Sequence, residues 1–201
     1  MFLGMKGFAN LRRMIFILTW WGGLCLIPGC TTKPSGIIRL AAFNPHHQLM
    51  KQDFSRAYYS SDYRGQVVCV LISEPSVPAD AGSRQVRQIM VVRTFWLPQK
   101  GRTPVSDSSA NMNLDFLVEV DGQSALYRGA GFALLTRKNS AARMVLDIRS
   151  ANIKIEQQST GFQPVFAEAG VTGKFVAVYQ PRLVASLLEE FKNKCQSLKR
   201  R

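Results

Sequence analysis

The stretch Leu114-Asp-Phe-Leu-Val-Glu-Val-Asp121-Gly122 decides the fold. Leu114, Phe116, Val118 and Val120 alternate with Asp115, Leu117 and Glu119, the period of two that sends successive side chains to opposite faces of a strand. Asp121-Gly122 follows at once, and this dipeptide suits a two-residue hairpin turn with positive φ at both central positions. The chain is therefore expected to double back into a second strand, Ser124 to Thr136. That strand carries Tyr127, Gly129, Gly131 and Ala133 on one face. Small residues inside a strand signal a bend, a bulge or close approach by another element.

Working outward, Gln66 to Glu74 holds the continuous apolar run Val67-Val-Cys-Val-Leu-Ile72, which predicts a strand buried on both faces. Pro75 to Gly82 is a turn-rich loop, and Gln85 to Leu97 is a long strand. Downstream, Arg143 to Ser150 alternates cleanly, a kink is expected at Ser150-Ala-Asn152, and Ile153 and Ile155 continue the pattern. Thr172 to Gln180 is the last strand. Pro181 then suits a first helical position, which needs no amide donor. Leu183, Leu187 and Phe191, flanked by Val184, Leu188 and Cys195, give that helix an apolar stripe to about Lys194. Between Gln48 and Ser60, Leu49, Met50, Phe54, Ala57 and Tyr58 fall near one helical face, which predicts an N-terminal amphipathic helix. The expected class is α+β: a mainly antiparallel sheet of about six strands, sandwich- or barrel-like, with an N-terminal helix and a C-terminal amphipathic helix packed on it. No helical segment lies between the strands, so a βαβ layout is disfavoured.

The front of the chain has a different character. Lys6, Arg12 and Arg13 precede an apolar run from Met14 to Ile27, about as long as the core of an export signal and shorter than the roughly 20 residues of a membrane-spanning helix. The run ends in Leu26-Ile-Pro-Gly-Cys30. The order aliphatic, any, small, Cys at Ile27-Pro28-Gly29-Cys30 resembles the lipobox of bacterial lipoproteins. Cys25 follows Leu24 rather than a small residue and fits that pattern less well. The resemblance implies cleavage before Cys30, diacylglycerol on its thiol and a further acyl chain such as palmitate on the new amino group. Two or three chains make a membrane attachment lasting where one leaves it marginal. The alternatives are a plain secretory signal or an uncleaved anchor. The division implied is a signal peptide over 1–29, a tether over 30–45 and one β-rich domain over 46–201. The protein would lie at the cell membrane or outer membrane, facing periplasm or exterior. Thr31 lacks the acid that family sorting rules associate with inner-membrane retention.

The chain has 201 residues and a formal charge of +13, three of those positives lying before the apolar run. Beyond the cytoplasm such an excess points to lipid head groups, lipopolysaccharide phosphates or acidic glycans rather than nucleic acid. A nucleic-acid binder survives only if the N-terminus is not an export signal. Most of the positives are scattered singly through strands, which also suits a solvated sheet face. With Cys25 removed and Cys30 acylated, Cys69 and Cys195 remain. An oxidising compartment would permit a bridge between them, although Cys69 also reads as a small core residue.

No catalytic constellation emerges. His46-His47 are the only histidines, and adjacent residues diverge on either a strand or a helix, so they read as solvated rather than metal-ligating. There is no Gly-x-Ser-x-Gly elbow and no Ser-x-x-Lys pair. Asp107, Asp115, Glu119 and Asp121 could supply paired carboxylates, but three of them belong to one strand and its turn, where exposed acids are routine. Gly129-Ala-Gly131 lacks the third glycine and following helix of a phosphate loop. No motif implies a cofactor. The segment from Phe95 to Val105, running into Asn111-Met-Asn113, combines Trp96 with Lys100 and Arg102 among prolines and glycines, the composition of a contact surface. Equally, Trp96 can plug one end of the core. The sequence therefore favours a lipid-anchored, non-enzymatic domain that contacts an envelope component or a protein partner. The alternative is an exported hydrolase or small-ligand carrier with a pocket near the 95–113 loop.

Overall fold

A computed structural model describes residues 36–43, 49–73, 86–97, 110–137 and 142–199. Among these the order is β1 Ile37–Ala42, β2 Leu49–Asp53, β3 Arg56–Ser61, β4 Val67–Ser73, β5 Val86–Thr94, β6 Met112–Val120, β7 Gln123–Arg137, β8 Arg143–Gln158, β9 Glu168–Tyr179 and α1 Pro181–Lys199. The broad expectation holds: the fold is mainly antiparallel sheet with a C-terminal helix. The described strands number nine rather than about six.

The hairpin at the centre forms as its sequence requires. Asp121 has φ 50° and Gly122 φ 79°, and Val120 pairs with Gln123 across the two-residue turn. From there β6 and β7 stay in register to Met112 and Gly131. Gly129 and Gly131 mark a close approach, as their size suggested: a Cβ built on Gly129 would lie 1.7 Å from the Asn152 carbonyl oxygen. Register shifts between Phe132 and Ala133 on β7, and between Ile148 and Ala151 on β8, bend these two long strands.

That bending lets the sheet close. The ladder runs from β3 through β8, β8 pairs with β9, and Val178–Tyr179 of β9 pair in parallel with Tyr58–Tyr59 of β3. On the same edge of β9, Ala169–Lys174 pair with β1, and β2 follows β1. Strands β3 to β9 thus form a closed ring with the β1–β2 hairpin let into one side. Among the described residues β2 is paired on one edge only.

Two expectations fail here. Gln48 to Ser60 is not an amphipathic helix: its described part is β2 and β3, broken at Phe54-Ser55. Nor does the tether run to residue 45, because Ile37–Ala42 is a strand of the body, with Ile38 and Leu40 both at 0% exposure. From Lys33 onward the chain forms one compact unit, and every residue of both hydrophobic clusters lies within it.

The larger cluster fills the ring, with Leu40, Leu71, Met90, Leu114, Phe116, Tyr127, Leu146 and Phe175 among its buried members. The smaller lies outside it, where Val184, Leu187, Phe191, Cys195 and Leu198 of α1 cover Val70, Ile72, Val91, Leu117 and Leu126. This second layer explains why β4 is apolar on both faces. The helix stripe is centred on Val184, and Leu183 is 39% exposed. Each apolar side chain so buried stabilises by about 1.5–3 kcal/mol.

Candidate functional site

The main concavity inside the ring opens at the end that holds the β6–β7 turn. It measures about 510 Å³. Its walls are inward-facing residues of four strands, Met50 and Gln52 on β2, Val86 and Gln88 on β5, Phe116, Val118 and Val120 on β6, and Gln123 and Tyr127 on β7. The segment from Gly161 to Phe166 closes one side with Phe162, Gln163, Val165 and Phe166.

That segment is tied down by Ser159, which is buried. Its amide donates to the Ser124 carbonyl at 2.8 Å, its hydroxyl accepts from the Ser124 amide at 2.9 Å, and its carbonyl accepts from the Phe162 amide at 3.1 Å. Beneath lies an aromatic floor. Phe54, Phe116, Tyr127 and Phe166 follow one another with ring centroids 6.4, 6.0 and 4.6 Å apart. The Tyr127 hydroxyl donates to the Phe166 carbonyl at 3.2 Å, and burial pushes its pKa up to about 12, so it stays a neutral phenol. Across the interior, the Gln88 side-chain nitrogen donates to the Gln52 oxygen at 2.8 Å. No cationic side chain lies among the described lining residues.

The charged residues are elsewhere. On the outer face beneath α1, Asp115 is held between Arg93 and Arg128. Arg128 Nε lies 3.0 Å from Asp115 Oδ1, close enough for charge attraction but poorly aimed for a hydrogen bond, since Nε has no hydrogen-bond partner. Arg128 also reaches Glu156 at 2.8 Å. Glu119 accepts from Lys194, and Glu190 from Arg87. The Arg87 hydrogen bond holds the Glu190 carboxyl below its ordinary range. Glu119 is therefore a clamp between sheet and helix, Asp115 links β6 to its neighbours β5 and β7, Asp121 sits in the hairpin turn, and these three carboxylates share no pocket. Among the described residues no three potential ligands cluster as for a metal ion, and no helix is long and apolar enough to cross a membrane.

A second outer surface spans β2, β1, β9 and β8. Outward positions bring Ile37, Arg39, Ala41 and Phe43 beside Leu49 and Lys51 on one edge and beside Thr172 and Lys174 on the other. Ile37, Phe43 and Leu49 are exposed by 42, 40 and 69%. Arg39, Lys174, Thr172 and Arg149 border a groove of about 710 Å³ there. Arg149 pairs with Asp147 at 3.1 Å and Lys51 with Asp53 at 3.4 Å. Arg39 and Lys174 have no acidic partner among the described residues.

The residues singled out from sequence distribute as follows. Trp96 sits at the opposite end of β5 from the pocket, with its ring 6.0 Å from Phe132 and its indole N–H donated to the Ala110 carbonyl at 3.0 Å. Lys100 and Arg102 lie outside the described residues, as do His46, His47 and Cys30. Cys69 and Cys195 are not bridged but free. Cys69 points into the ring and Cys195 into the helix-covered layer, so the sheet itself separates them. Burial pushes their thiols up to about 12 and about 11. No sequence signal marks the pocket, because its glutamines are ordinary polar residues until three strands and the segment before β9 bring them together.

No family model matches the chain, and neither a curated protein nor a solved structure is significantly similar to it.

Proposed function

We propose that the protein is an exported, lipid-anchored binding module that works without catalysis, held at Cys30 and resting the outer face of β1, β2 and β9 on an anionic membrane surface. The carrying observation is the make-up of that face. Exposed Ile37, Phe43 and Leu49 stand among Arg39, Lys51 and Lys174, the mixture that inserts apolar side chains at the head-group boundary while cations meet lipid phosphates. Cys30 precedes Gly36 by six residues, a span that reaches at most about 20 Å, so an acylated Cys30 would keep the body within reach of the bilayer. The excess of basic residues over acidic ones supports attraction to an anionic surface.

Two measurements test the reading. Replacing Cys30 by Ser and fractionating cells releases the processed protein from the membrane; unchanged attachment removes the anchor. The body from Lys33 onward, floated with vesicles, binds those containing anionic lipid and loses that binding in the Arg39→Glu, Lys174→Glu double variant. Each cation brought to an anionic surface contributes about 1 kcal/mol. Binding indifferent to vesicle charge and to the double variant removes the docking face.

A further inference from the structure

The ring is not filled to its end, and we infer that the space it leaves is a binding site for an uncharged, mainly apolar small molecule bearing an amide-like group. This inference is independent of the anchor at Cys30.

The size suits a small ligand: about 510 Å³ lies within the roughly 300–1,000 Å³ typical of such sites, and the mouths of β-barrels are a recurrent place for them. The chemistry of the wall narrows the class. Phe116, Tyr127, Phe162 and Phe166 offer ring surfaces, and Val118 and Val120 add aliphatic ones. A flat apolar body stacks here without loss of solvation. Among the described lining residues neither Lys nor Arg is present to meet a phosphate or carboxylate, and Asp121 at the turn is itself acidic. An anion would leave water with no compensating charge, at a cost of several kcal/mol. The Tyr127 hydroxyl is already committed to Phe166.

The polar contacts that remain belong to carboxamides. Gln88 donates to Gln52, which fixes both side chains across the interior. That bond leaves the Gln52 amino group as a donor and the Gln88 oxygen as an acceptor for a ligand. A ligand group with both a carbonyl and an N–H offers a partner to each, and a group with only one of them leaves the other unpaired. Gln123 and Gln163, half-way round the rim, are exposed to water and can accommodate varied substituents. The lip also carries an apolar side chain: Val165, which lines the opening, is 65% exposed. Such a rim lets a poorly soluble molecule pass from another apolar phase into the ring.

The test uses the body from Lys33 onward and the neutral fluorophore N-phenyl-1-naphthylamine, which has a flat apolar body and one N–H. Saturable emission enhancement at one probe per chain, with micromolar affinity as its order, is expected. Val118→Trp and, from the neighbouring strand, Val86→Trp each fill the space and weaken binding at least tenfold, while thermal unfolding shows the body still folded. Gln88→Leu abolishes the preference for 1-naphthamide over naphthalene as displacing competitor. Full probe binding in both folded tryptophan variants overturns the site. A carboxylated competitor, 1-naphthoate, displacing as well as 1-naphthamide overturns the ligand class.

Discussion

Asn111 gives the sharpest test of how the body is held together, because a single buried carboxamide does the work of a missing strand. It is 0% exposed. Its side-chain nitrogen donates to the Ala133 carbonyl at 2.8 Å and its oxygen accepts from the Ala133 amide at 2.8 Å. Ala133 is where β7 slips register against β8, and its two backbone groups have no partner on β6, whose ladder ends at Met112 and Gly131. Asn111 thus imitates one further rung. Its own backbone adds two more bonds, to Gly131 at 2.9 Å and from Phe95 at 3.0 Å. Asn111→Ala leaves a buried N–H and a buried carbonyl unsatisfied at about 1–3 kcal/mol each, a loss of about 2–6 kcal/mol. For a body of this size the midpoint falls by roughly 5–15 °C. Urea unfolding reads the same loss as a lower midpoint at unchanged slope.

Asn111→Asp separates hydrogen bonding from packing. A protonated carboxyl reproduces both bonds, donating to the Ala133 carbonyl and accepting from its amide, whereas the ionised form turns a negative oxygen towards that carbonyl. The folded pKa therefore rises above the unfolded value of about 3.9, so the variant is most stable below that pH and loses stability as pH rises through the folded value. The wild-type Asn111 shows no such slope from this position. A loss under about 1 kcal/mol for Asn111→Ala, or an Asn111→Asp variant whose stability ignores pH between 3 and 7, refutes the account.

Other perturbations have definite outcomes. Gly129→Ala drives a Cβ to within 1.7 Å of the Asn152 carbonyl oxygen, which belongs to backbone and cannot swing aside, so it costs about 3 kcal/mol or more in urea unfolding; Gly122→Ala, with open space around it, costs only about 1 kcal/mol from its positive φ. Cys69 and Cys195, buried and with thiols pushed up to about 12 and about 11, resist alkylation at pH 8 in the folded protein and both react in urea. Their raised values give stability that is whole below the ordinary thiol value of 9.0 and is lost as pH climbs through the folded values, which alkaline unfolding scans detect. Glu190, lowered by its Arg87 bond, acts in the opposite sense: its contribution is present above the ordinary value of 4.5 and disappears as pH falls through the folded one. Because its side chain is 37% exposed, Glu190→Gln removes no more than about 1 kcal/mol of that acid sensitivity.

How far the residues reveal the fold depends on how local the cause is. The Asp121-Gly122 hairpin, the kink near Ser150, the doubly buried β4 and the helix begun by Pro181 all follow from neighbours in sequence, and all are present. The misread segment shows where this stops. Within 48–60, Met50 and Phe54, then Ala57 and Tyr59, turn inward; the break at Phe54-Ser55 shifts the alternation by one residue, so inward positions fall four and three apart and imitate a helix. The parallel contact of β3 with β9 joins Tyr58 to Val178, a separation that no local pattern encodes. The same holds for the pocket, whose glutamines come from β2, β5, β7 and the turn before β9.

Strand β2 is where the two functional proposals meet, and it constrains both. Leu49, Lys51 and Asp53 face outward, while Met50 and Gln52 face into the ring. Inside the ring, Gln52 accepts from Gln88 of β5. If the outer face rests on a membrane, the pocket is separated from that membrane by a single strand. A ligand drawn from the lipid phase then has a short path over Leu49 and Val165. This arrangement makes the proposals experimentally separable. Leu49→Ser weakens vesicle flotation without changing probe affinity in solution, because Leu49 does not line the pocket. Val118→Trp does the reverse. It also slows transfer of N-phenyl-1-naphthylamine from vesicles only if loading proceeds at the membrane. Were Leu49→Ser to reduce probe affinity in the absence of vesicles, face and pocket would be one continuous apolar surface, and the assignment of separate roles to the two sides of β2 would be wrong.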